Sequence, residues 1–323
     1  MFAQGEAGNQ KGARDATNGF SDFGGNPAAI TDAGCERDLN EDRYSVIECD
    51  SGVAWVVCDG MGGVTGGELA AQLAIDAIRR ELLSIGPRPS DMAVTAALTE
   101  ANRAIVLRRQ NQAFAGMGTT AVIALFQKGE VSISHVGDSR AYLVRGGIIQ
   151  QLTVDHTYVQ SLVEQGEIGL EEALAHPDAH ILTRCIGSQA GLGLEMLKFW
   201  IWPVDKADVH DHLVMVTDGL YTLVSDMEIA EYVTKNDTQT ACAQLVDLAN
   251  SRGGYDNITI AIIPIGGQLR SEPPPGFVPL AMGDENELEN QVSISLARWI
   301  IVALMMTVLM VVLVGAIVFL AVS

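Results

Sequence analysis

Basic residues are scarce in this chain of 323 residues: 20 Lys and Arg stand against 40 Asp and Glu, a formal charge of -20. That balance excludes a nucleic-acid-binding surface, because a phosphate backbone would be repelled. Cysteines number five, at 35, 49, 58, 185 and 242, and no two form a C-x-x-C. An odd, scattered set excludes a disulfide scaffold or a zinc ribbon and suits reduced, mostly buried thiols. Aromatics make up only 6%. The first twenty residues lack an apolar run of signal-peptide length, which agrees with an expected cytosolic side for the globular part. What is present is ample apolar material, 48%, enough for a packed core.

Residues 1–25, rich in Gly, Asn, Asp and Ala, are expected to form a flexible tail. Residues 26–268 are expected to form one mixed α+β domain. Residues 269–298 hold three consecutive prolines and an acidic run, the composition of a linker. The stretch 299–322 is apolar on every face apart from Thr307, and its helical rise of about 35 Å exceeds a hydrocarbon layer of about 30 Å. It is read as a single transmembrane anchor with Arg298 and Trp299 at the interface. The expected location is the cytoplasmic membrane, catalytic domain facing the cytoplasm.

Helical periods run through Glu68–Leu83 and Ser90–Arg109, the second with Val94, Leu98, Ala101 and Ile105 on one face. Ser225-Asp226-Met227-Glu228 is a capping box, and 240–250 a further helix. Strands are expected at 44–48, 54–58, 120–126, 131–136, 141–144, 213–217 and 257–263. This order suggests antiparallel sheets with helices packed outside them.

Two of those strands run into Asp-Gly: Asp59-Gly60 and Asp218-Gly219. A third begins after Asp256. The end of one antiparallel strand lies beside the start of its neighbour, so the three carboxylates are expected at one sheet edge. Such a cluster repels itself unless a cation intervenes, and oxygen-only donors select Mg²⁺ or Mn²⁺ over Zn²⁺. Taken alone, Asp-Gly more often marks only a turn. Arg37 offers a fork that matches a pair of phosphate oxygens, and Glu41 and Asp42 can meet a metal through water.

The ordered string Arg-x-x-Asn-Glu-Asp (37–42), Val-Cys-Asp-Gly-Met-Gly-Gly (57–63), Met-Gly-Thr-Thr (117–120), Val-Gly-Asp-Ser-Arg (136–140), Leu-Thr-x-Asp-His (152–156), Thr-Asp-Gly-Leu (217–220) and Asp-Asn-Ile-Thr (256–259) closely resembles the metal-dependent protein phosphatases of type 2C, in particular bacterial members. The resemblance covers about residues 30–266. It implies an α+β fold: a four-layer α-β-β-α sandwich of two antiparallel sheets flanked by helices. It implies hydrolysis of phosphoserine and phosphothreonine in proteins, with a serine/threonine kinase as counterpart.

Carried over by position, Asp59 bridges two metals and the Gly60 carbonyl binds one. Asp218 and Asp256 hold the other. Glu41 acts through water with Asp42 in support, Asp138 shares a weaker third ion with Asp218, and Arg37 clamps the phosphate. Met61 stands where eukaryotic members carry a His suggested to protonate the leaving group, so the general acid is open. His156, His176 and His180 lie near a segment (about 157–185) resembling the family's mobile flap. His210 and His212 are expected to face solvent. Two other classes, a non-catalytic phosphopeptide-binding adaptor and a carboxylate-metal nuclease, fit the string less well. The first has no need of four site residues, and the second conflicts with the charge.

Overall fold

A computed structural model describes residues 22–275, except 85, 170–171, 174–175, 189–190 and 205–209. The expected anchor at 299–322 lies outside the described residues. Among the described residues, no helix is long and apolar enough to cross a membrane.

Several strands are apolar without alternation. That is the pattern of strands covered on both faces. β3 (Gly52–Cys58), β6 (Ala121–Gln127), β7 (Glu130–Val136) and β12 (Ile258–Pro264) are buried at every position. Each divides its side chains between two cores, since successive residues point to opposite faces. In β3, Val53, Trp55 and Val57 enter the space between two sheets, while Ala54, Val56 and Cys58 face a pair of helices. In β12, Ala261 and Ile263 enter the same central space, while Ile260 and Ile262 face another helix pair.

The six-stranded sheet has the order β13-β10-β7-β6-β3-β2, with β2 at Arg43–Cys49, β10 at Glu195–Pro203 and β13 at Gly267–Arg270. The five-stranded sheet has the order β1-β12-β11-β8-β9, with β1 at Ala28–Asp32, β8 at Arg140–Arg145, β9 at Ile148–Gln151 and β11 at Asp211–Val216. Every pairing is antiparallel. A short ladder joins β4 (Gly60–Met61) to β5 (Gly118–Thr119).

α1 (Gly63–Ser84) and α2 (Ser90–Arg108) cover the outer face of the larger sheet. Val94, Leu98, Ala101 and Ile105 are fully buried there, as their spacing predicts. A short helix, α3 (Tyr158–Glu164), follows β9, and a single turn, α4 (Asp218–Tyr221), follows β11. α5 (Asp226–Lys235) and α6 (Thr238–Ser251) cover the smaller sheet, and α5 opens on the Ser225–Glu228 capping box. The four layers are therefore helix, sheet, sheet, helix.

Several expectations need correction. Part of the expected tail packs into the fold: Asp22 is buried and Phe23 bridges to Ile265. The first residues of the expected linker complete β13, where Leu269 is buried against the central core. Strands β1, β9, β10 and β13 carry no clear sequence signal because each is short, at an edge, or only partly buried. His212 lies within β11 and is partly buried, and that burial lowers its pKa. All five cysteines are free thiols, but only Cys58 and Cys242 are buried.

Candidate metal centre

Asp59 directly follows β3. Its backbone is gripped by the start of β6, the neighbouring strand. The amide of Thr120 donates to the Asp59 carbonyl at 2.8 Å, and the Asp59 amide donates to the Thr120 hydroxyl at 2.9 Å. The Thr119 hydroxyl also donates to that carbonyl, at 2.8 Å. These bonds account for the Thr-Thr pair in the Met-Gly-Thr-Thr string. Thr120 shares its hydroxyl with Ser139 at 2.7 Å, which ties in the loop carrying Asp138.

Asp218 follows β11 and Asp256 precedes β12. These strands pair antiparallel, so the two acids lie at the same end of the five-stranded sheet. Asp59 belongs to the other sheet. The expectation of a single sheet edge is therefore corrected: the acids come from two stacked sheets whose ends open on one cavity. Arg37, Glu41, Asp59, Gly60, Asp138, Asp218 and Asp256 all line it, together with Met61 and His180.

The glycines after Asp59 and Asp218 serve close packing. A Cβ on Gly60 would strike the carbonyls of Gly67 and Glu41, and one on Gly219 would strike the Asn257 carbonyl. Asn257, absent from the expected site residues, organises the loop before β2. Its side-chain amide donates to the carbonyls of Ala33 and Leu39, and its oxygen accepts from the Glu41 amide at 2.8 Å.

Asp42 does not line the cavity. It is fully buried behind it, and its Oδ2 accepts from the hydroxyls of Thr217 at 2.8 Å and Thr259 at 2.7 Å. Burial raises its pKa to about 7, against the opposing pull of those two hydroxyls. Arg37 sits at the cavity mouth, and its Nη2 lies 2.6 Å from Asp256 Oδ2. Of the three histidines near the flap-like segment, only His180 reaches the cavity, with Nδ1 3.9 Å from Asp218 Oδ2. His156 is buried and accepts at Nδ1 from the Gly137 amide. His176 accepts from the amide of Asp178.

The electrostatics of this cluster suit a cation. Asp59 is pushed well up, first by burial and then by Asp42, Asp218, Asp138 and Asp256. Burial raises Asp138 to about 8, with Asp218 adding to the shift, and it raises Asp218 itself. Glu41 Oε1 and Asp218 Oδ1 are buried without a hydrogen-bond partner. Among the described residues, no group of three or more acidic, His or Cys side chains is placed closely enough to hold a metal ion as it stands. The donors nonetheless fit a hard divalent ion: they are oxygens only, two are orphaned, and they repel one another.

The profile of the protein phosphatase 2C family matches residues 36–253. The chain belongs to that family. Over 240 residues it is 33% identical to the serine/threonine phosphatase stp of Listeria monocytogenes, an overlap of 72% of this chain and 93% of that one. It is also 33% identical over 264 residues to the serine/threonine protein phosphatase PstP of Mycobacterium tuberculosis, covering 81% of this chain and 49% of the longer relative. The crystal structure of the M. tuberculosis phosphatase PstP/Ppp superposes with a TM-score of 0.66 at 31% identity, covering 74% of this chain and 97% of that one. The PstP catalytic domain in complex with two manganese ions superposes with a TM-score of 0.64 at 30% identity, with the same coverage. This family member is a serine/threonine phosphatase of the 2C type, a metal-dependent class that uses Mn²⁺ or Mg²⁺.

Proposed function

We propose that this phosphatase is held at the cytoplasmic face of a membrane by residues 299–322 and removes phosphate from phosphoserine and phosphothreonine of proteins, opposing a eukaryotic-like kinase. The observation that carries the chemistry is the convergence of acids from two sheets on a cavity with one guanidinium at its mouth. Asp59, the Gly60 carbonyl, Asp218 and Asp256 would hold two divalent ions, Glu41 would act through water, and Asp138 with Asp218 would hold a third. Asp42 would act from behind, fixing Thr217 and Thr259 beneath the carboxylates.

When bound, the ions supply charge neutralisation for a phosphomonoester dianion and lower the pKa of the attacking water. Arg37 presents N–H donors to the phosphate oxygens at the mouth. Among the described residues lining the cavity, neither the one threonine hydroxyl nor the one thiol is poised as a nucleophile. The Thr120 hydroxyl is committed to Asp59 and Ser139, and the Cys185 thiol is pushed up by burial. Attack by water, without a covalent phospho-enzyme, is the reading that the oxygen-donor cluster supports.

The anchor rests on composition: a run long enough to span a bilayer, with only Thr307 interrupting its apolar character. Tethering would concentrate the enzyme near membrane-bound phosphoproteins.

The test assays the purified full chain in detergent on a phosphothreonine peptide with Mn²⁺, then with EDTA. Turnover that survives full chelation would remove the metal assignment. A separate arm expresses the full chain and its 1–298 truncation; equal partition of both into the soluble fraction would remove the anchor and leave the chemistry standing.

A further inference from the structure

Asp138 and Asp218 reach the cavity from the adjoining ends of two paired strands, β8 and β11 of the smaller sheet. Asp138 sits on the crossover between β7 of the larger sheet and β8 of the smaller one, and Asp218 opens α4 at the end of β11. Asp138 is buried and Asp218 half-buried, and both line the same cavity. Two such groups drive each other apart unless the backbone holds them. Tyr221, the last residue of the turn that Asp218 begins, supplies a hold: its hydroxyl donates to the Asp138 backbone carbonyl at 3.1 Å.

The ring that carries this hydroxyl is itself fixed. The Arg140 guanidinium lies 3.6 Å from its centroid, and Arg140 is bound at both forks by Asp155, at 2.7 and 3.0 Å. One helical turn therefore ties the end of β11 to the residue that leads into β8, and so bears on the separation of the two carboxylates.

We propose that Tyr221 is a positioning residue, holding Asp138 and Asp218 at the spacing needed to share one divalent ion. This rests on the reading of those two acids as ligands. The phenol touches neither substrate nor ion on this account; it acts through the Asp138 backbone.

The test is Mn²⁺ binding to the full chain in detergent by calorimetry, paired with turnover as a function of Mn²⁺ concentration. Tyr221→Phe keeps the ring against Arg140 and deletes the donor; Tyr221→Met deletes both. Loss of one hydrogen bond predicts that each variant needs about five- to tenfold more Mn²⁺ for its weakest site and for half-maximal turnover. Turnover of the Phe variant should recover at saturating Mn²⁺, which a general loss of structure would not allow. A Phe variant with an unaltered isotherm overturns the proposal. So does a shift confined to the Met variant, which would assign the effect to ring packing. If instead Asp138→Asn and Asp218→Asn bind Mn²⁺ as the unaltered chain does, the ligand reading beneath the proposal has failed.

Discussion

Arg37 is bound to Asp256, Nη2 to Oδ2 at 2.6 Å, so the cation assigned to substrate phosphate pairs with an acid assigned to metal. Both side chains are substantially exposed, 50% and 37%, and an exposed pair contributes only about 0–1 kcal/mol. The guanidinium is thus free to exchange partners at small cost. Arg37→Ala is predicted to raise KM for a phosphothreonine peptide by about ten- to hundredfold, the range for a charged hydrogen bond, with a smaller change in kcat. Steady-state kinetics at saturating Mn²⁺ check it; an unchanged KM would show that Arg37 does not meet the phosphate.

Asp218→Asn preserves shape and removes charge. Turnover should fall by at least about a hundredfold if Asp218 is a direct ligand, as expected when a group acting on transition-state charge is lost. The stability of the chelated protein should not fall, because the substitution relieves repulsion among buried acids. Urea unfolding in EDTA and an activity assay in Mn²⁺ measure the two effects separately.

Asp42 contributes from beneath the cavity. Asp42→Ala leaves the buried Thr217 hydroxyl without its acceptor, at a cost of about 1–3 kcal/mol, whereas the Thr259 hydroxyl keeps Thr31 as a partner at 2.8 Å. A lowered urea midpoint is the expected result, whether or not metal is present. An effect on metal affinity with no loss of stability would move Asp42 into the coordination shell.

Acid should weaken the fold through His156. Burial, with help from His135 and Arg184, lowers its pKa to about 3 from an ordinary 6.5. The ring stacks on His135, centroids 4.5 Å apart, and burial lowers the pKa of His135 as well. Below pH 6.5 the unfolded chain takes up protons that these buried rings refuse, so unfolding becomes progressively more favourable. The stability they confer is complete above about pH 6.5 and is lost as pH falls toward about 3. Chemical denaturation between pH 8 and 4 should show this slope, and His156→Gln should flatten it.

In the helix layer, Leu98→Ala removes a fully buried side chain packed between α2 and the larger sheet. A loss of about 2–5 kcal/mol is expected, with metal dependence of turnover unaltered in the folded fraction. Equilibrium unfolding and a Mn²⁺ titration together test that separation.

Much of this protein was legible in one dimension. Strand and helix periods depend on local spacing, so the core strands and α2 were placed within a residue or two. The capping box at Ser225 was equally plain, because its two partners are three residues apart. Asp59, Asp218 and Asp256 stood out because each adjoins a strand end, and their chemistry follows from residue type.

Tertiary structure alone decided how those ends meet. Sequence spacing carries no information about which sheet a strand joins, and the acids turned out to come from two sheets. It likewise placed Asp42 behind the cavity although Glu41 lines it, since adjacent residues on an extended chain point to opposite sides. The hydrogen bonds of Asn257 and Tyr221 leave no trace in local spacing, because their partners lie far away along the chain, at Ala33, Leu39 and Asp138. A local pattern can specify an element and its chemistry; the long-range hydrogen bonds that aim the chemistry exist only once the sheets have stacked.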